Sequence, residues 1–155
     1  MELSLFEKIG FWIGSVWIMP LWILMIAFPK HSVSKKILYT PWCLAPIGVA
    51  YAILVISEIP SLLLAFATNI PTPNFVIALF SDTRAITLGW LHLLIFDLFV
   101  GRWIWIKVLE KDLPLQVSAP MLLTSMMFGV LGFLIALIVF EPLPTRKMKT
   151  EINHQ

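Results

Sequence analysis

Four stretches of the chain pass without an Asp, Glu, Lys or Arg: Ile9–Phe28, Ile37–Ser57, Ile59–Ser81 and Leu113–Phe140. A fifth, Asp82–Lys107, is largely apolar but carries His92, Asp97 and Arg102 in its interior. A helix needs about 20 apolar residues to cross the hydrocarbon layer, so this pattern predicts bilayer-spanning helices. The first runs from about Ile9 to Phe28 with Pro20 inside it, and the second from Pro41 or Trp42 to Ala67, enclosing Pro46, Glu58 and Pro60. The third runs from Asp82 or Thr83, either Asp82 or Ser81 serving as its N-cap, to Val108. The fourth runs from Ala119 to Phe140, where Gly129 and Gly132 favour close helix contact. Between the second and third, Asn69–Ser81 carries Pro71 and Pro73, and its unbroken part is too short to cross. It reads as an interfacial or re-entrant piece. The expected fold class is all-α: a polytopic membrane protein, a compact bundle of four transmembrane helices. One domain is expected over residues 1–145, followed by a short polar tail at 146–155.

Composition agrees with the pattern. Of 155 residues 59% are hydrophobic and 13% charged, against about a quarter charged in ordinary soluble domains. Mean hydropathy is +0.91. Glu2 and Glu7 precede the first span and FPKH follows it, with no small-residue cleavage site, so that span is expected to stay in the mature protein. Cys43 is the only cysteine, which excludes an internal disulfide and the paired-cysteine metal and redox motifs. A net charge of +2 without a basic stripe excludes a nucleic-acid partner and suits loops that face lipid headgroups. Orientation is not decided by charge: Lys8, Arg84, Arg146, Lys147 and Lys149 fall on one side, and Lys30, Lys35, Lys36, Lys107 and Lys111 on the other.

Ionisable side chains inside a bilayer are costly, so those on the third span point to function or to buried pairing. His92, Asp97 and Arg102 follow one another at intervals of five, which turns each from the next by about 140 degrees with about 7.5 Å of rise. They form no ladder on one helix face; partners must come from other helices, a ligand or water. Asp97, among Ile95, Phe96, Leu98 and Phe99, is expected to stay protonated near neutral pH and so to act as an acid. The competing reading is a buried ion pair or packing element. Arg102, near the end of the hydrocarbon region, has a structural or headgroup-binding alternative. His92 can be a base, an acid, a pigment ligand or an interhelical hydrogen-bonding group. Glu58 completes an acid–base pair if the second and third spans pack side by side, and only meets water if it lies at the membrane edge. A metal site is not expected, because one intramembrane His and one Cys leave too few ligands.

The run GWLHLLIFDLFVGRWIW resembles the diagnostic segment of the abscisic-acid-deficiency-four-like family, small four-span membrane proteins that act as neoxanthin synthesis factors. The Trp–His pair, the Asp-Leu-Phe and the Arg fall on His92, Asp97 and Arg102, and MPLWILMIAFP is similar to the family's proline-containing first helix. The resemblance covers nearly the whole chain but loosens in SAPMLLTSMMFGVLGFLI of the fourth span. It implies a role in xanthophyll biosynthesis, a carotenoid or other isoprenoid as substrate or ligand, and a cyanobacterial thylakoid or plasma membrane as location. The implied chemistry is isomerisation of an epoxy-xanthophyll, as from violaxanthin to neoxanthin. Asp97 supplies the acid, Glu58 or His92 takes the departing proton, and Arg102 holds the ring hydroxyl or keeps Glu58 ionised. That step needs no cofactor. The rival reading is a non-catalytic pigment-binding protein or an assembly factor with a membrane-protein partner or second copy; a small transporter is a third.

Overall fold

The computed structural model describes residues 4–142. The expected tail at 146–155, with Arg146, Lys147 and Lys149, lies outside the described residues, which are helical with no strand among them. In chain order the helices are α1 (Leu5–Ala27), α2 (Ser32–Leu38), a 3-10 turn (Pro41–Leu44) leading into α3 (Ala45–Ile56), α4 (Ile59–Thr68), α5 (Pro73–Leu79), α6 (Thr83–Glu110), α7 (Leu115–Met127) and α8 (Gly129–Phe140).

Among the described residues two helices are long and apolar enough to cross a membrane, α1 with 23 residues and α6 with 28. A third crossing is available if α2 and the segment Pro41–Ile56 count as one span bent by 75°. The second expected span does not continue to Ala67. Proline cannot donate the amide bond that would carry α3 onward, and Pro60 accordingly stands at the start of α4, after a break at Ser57 and Glu58. The fourth expected span is also divided. Phe128, at φ −141° and ψ 58°, ends α7 and precedes α8. Those two helices pack against each other, with Gly132 so near the Ser125 backbone that a side chain there would collide with it. In the expected interfacial stretch the structure forms the seven-residue α5, capped by the Thr72 hydroxyl, which accepts from the Phe75 amide at 3.3 Å.

The described residues sort into two compact units: the first takes in 4–17 and Leu44–Ile95, the second Ile18–Cys43 and 96–142. Half of α1 and half of α6 belong to each. In the first unit Ile47, Ala50, Leu54, Leu88 and Leu91 are buried, whereas α4 and α5 bury no residue. The second unit buries more apolar side chains, among them Leu21, Met25, Leu98 and Ile104. Trp22 covers Gly101, where any side chain would strike the indole ring. Trp105 is fully buried, and its indole N–H donates to the Pro29 carbonyl at 3.0 Å.

Both long helices are closed by recognisable end chemistry. At the start of α1 the Ser4 amide donates to Glu7 Oε2 at 2.6 Å, and the Glu7 amide donates back to Ser4 Oγ at 3.3 Å, a capping box. At the end of α6 the Leu113 amide reaches the Val108 carbonyl at 3.0 Å and the Asp112 amide the Leu109 carbonyl at 3.3 Å. This is a Schellman motif with Asp112 at φ 52°, the position usually held by glycine.

Candidate functional site: a polar-ended cavity

A cavity of about 1030 Å³ opens in the first unit, walled by α3, α4, α5 and the first half of α6. That volume sits at the upper end of the range for small-molecule sites, roughly 300–1,000 Å³. Most of the wall is aliphatic and aromatic, including Leu62, Phe66, Phe80 and Leu93. Polar groups gather at two stations.

The first station is built by the break between α3 and α4. Because the chain stops being helical there, Glu58 stands at the cap position of α4 rather than on a helix face. Arg84, the second residue of α6, donates through Nη1 to Glu58 Oε1 at 2.5 Å and through Nε to Glu7 Oε1 at 3.1 Å. The Ser61 hydroxyl lies 3.3 Å from Glu58 Oε2 and 2.8 Å from the Glu58 carbonyl oxygen; the Ser57 hydroxyl lies 3.4 Å from Glu58 Oε1. The Glu7 side chain is only 5% exposed, and a carboxylate so buried is strongly destabilising without a cation. One guanidinium therefore ties together the start of α1, the α3–α4 break and the start of α6. The second station lies eight residues further along α6, about 12 Å of rise. There the His92 ring sits 5.9 Å from the Tyr51 ring of α3, tilted by 50°.

Glu58 and His92, both expected as site residues, are thus brought to one cavity wall. Asp97 and Arg102 fall in the second unit. Asp97, half-buried, packs against Gly129 at the first residue of α8, where a side chain would overlap its carboxylate. Arg102 donates through Nε to the Leu38 carbonyl at 2.7 Å and through Nη2 to the Tyr39 carbonyl at 2.6 Å, closing the end of α2. The expectation that Arg102 keeps Glu58 ionised is corrected: the guanidinium on Glu58 is that of Arg84. Arg84 and Glu7 are the members of this charged cluster that sequence reasoning did not single out as site candidates. A signal for them exists. A cation in the first turn of a helix opposes the helix dipole and calls for carboxylates nearby.

A model of the ABA DEFICIENT 4-like family matches residues 9–135. The chain belongs to this family. Over 126 residues it is 26% identical to the chloroplastic protein ABA DEFICIENT 4 of Arabidopsis thaliana, a match covering 79% of this chain and 57% of that protein. The chain thus spans little more than half the length of its curated ABA DEFICIENT 4 relative. The family match takes in Glu58, Arg84, His92, Asp97 and Arg102, and begins after Glu7. No solved structure matches the chain.

Proposed function

We propose that this protein acts in xanthophyll synthesis by seating one end ring of an epoxy-xanthophyll in the cavity and isomerising it to an allene with a tertiary alcohol. The observation that carries this reading is an apolar chamber with an acid–base side chain on its wall and a charged cluster at one end. Family membership supports the same substrate class. In the reaction the epoxide oxygen gains a proton and its bond to the polyene-side carbon breaks. The resulting cation loses a proton from the neighbouring polyene carbon, whose electrons form the allene. One proton enters and one leaves, and no electrons are exchanged with any other molecule.

His92, beside Tyr51, is the group suited to this exchange, because an imidazole can give the first proton as imidazolium and take back the second when neutral. The histidine ends as it began. Glu58, on the same wall, is the other acceptor for the departing proton.

The test is incubation of the full chain, in phospholipid vesicles, with violaxanthin, followed by separation of the pigments. A product of equal mass with an allenic end group is expected, and His92→Gln should abolish it. Violaxanthin held tightly but returned unchanged would replace this reading with the non-catalytic pigment-binding one; failure to retain it would end both. Asp97→Asn in the same assay examines the acid assigned from sequence, and undiminished product removes Asp97 from the chemistry.

A further inference from the structure

Arg84 has more hydrogen-bonding capacity than its two carboxylates use. A guanidinium carries five N–H groups, and Nε and one N–H of Nη1 are committed to Glu7 and Glu58, which leaves three uncommitted among the described residues. The side chain is 40% exposed and lines the cavity. Its charge environment narrows what can meet it. Glu58 and Asp82 share the cavity wall with Arg84, and Glu7 holds the other edge of the guanidinium, so three carboxylates stand against one cation. A carboxylate or phosphate entering this end meets like charge, which is costly in an enclosed site. A neutral hydroxyl does not. It can accept from a guanidinium N–H while donating its own proton to the Glu58 carboxylate.

We infer that Arg84, fixed by Glu58, is the specificity-determining group that reads the ring hydroxyl of a neutral isoprenoid and turns away both hydrocarbon and anionic ones. This rests on the reading that the cavity holds a carotenoid end ring. A ring without the hydroxyl would press apolar surface onto a charged pair and leave its hydrogen bonds unmade. An isoprenoid acid would add a fourth carboxylate. The same contact sets the depth of entry, since a ring anchored at Arg84 presents its neighbouring atoms towards the Tyr51 and His92 station.

The experiment offers the full chain, in neutral phospholipid vesicles, an equal mixture of zeaxanthin, β-carotene and retinoic acid, and measures what the re-isolated protein retains. Zeaxanthin should be enriched over β-carotene by about tenfold, the scale of one charge-assisted hydrogen bond, and retinoic acid should not exceed β-carotene. Arg84→Lys keeps the cation but loses the fork, and should bring the zeaxanthin to β-carotene ratio close to one. If that variant retains no pigment, Glu58→Gln, which keeps the shape and removes the anion, should lower the ratio in the same direction. Equal retention of zeaxanthin and β-carotene by the unaltered protein, enrichment of retinoic acid, or an unchanged ratio in whichever variant retains pigment overturns the inference and leaves the cavity reading standing. Retention of no pigment by the unaltered protein overturns the cavity reading itself.

Discussion

Two arginines stand eighteen residues apart on α6 and are satisfied in opposite ways. Arg84 is held by the side-chain carboxylates of Glu7 and Glu58, beside a cavity whose α4 and α5 walls bury nothing. Arg102 is held by the main-chain carbonyls of Leu38 and Tyr39, in the unit where Trp22 and Trp105 are buried. A carbonyl cannot change charge or swing aside, so the bonds of Arg102 fasten structure. Carboxylates can share a cation with an incoming group, so the bonds of Arg84 remain open to exchange. An arginine in an apolar helix therefore does not by itself mark a site; the chemistry of its partners does.

The largest effect that could break this contrast is expected in the second unit. Trp105→Ala removes a fully buried indole and leaves the Pro29 carbonyl without its donor, and should cost about 3–5 kcal/mol. Unfolding in mixed micelles measures it, and a loss below about 1 kcal/mol would mean that the buried Trp105 does not hold this unit together.

The arginines themselves give the next test. Arg102→Met should lower stability by about 2 kcal/mol, since two carbonyls lose charge-assisted bonds, while the ratio of retained pigments stays as it was. Arg84→Met should shift that ratio. If both substitutions move the ratio alike, the division of labour proposed for α6 is wrong.

The smallest effect belongs to the end of the same helix. Asp112→Gly relieves a left-handed residue but gives up the exposed pair with Lys30 at 2.7 Å, and the two should nearly cancel, within about 0.5 kcal/mol. A drop of several times that size would show the pair to be a structural clasp.

What could be read from the sequence follows the same contrast. The long helices were legible: spans expected near Ile9–Phe28 and from Thr83 to Val108 correspond to Leu5–Ala27 and Thr83–Glu110, because continuous apolarity is a count of residues. Interruptions were not. Pro20 and Pro120 lie inside unbroken helices while Pro60 opens a new one, and hydropathy assigns the same value to all three. Around the break at Phe128, Gly132 lies against Ser125; the sequence marked that glycine for close helix contact, but not that the contact would be with the preceding turns of its own expected span. At the site, Glu58 and His92 stood out because each interrupts an apolar run. Arg84 and Glu7 lie at the edges of their spans, where charges pass for loop residues, and only the folded chain shows them meeting. Asp97, the most conspicuous residue in the sequence, belongs to the other unit.

Glu7 divides its two oxygens between different tasks: Oε2 accepts from the Ser4 amide, and Oε1 accepts from Arg84. A substitution there cuts both ties at once, so a lost phenotype at this position cannot be attributed to either. Ser4→Ala frays only the opening turn of α1 and Arg84→Lys alters only the clasp, and together they separate a helix that starts badly from a pocket that reads badly.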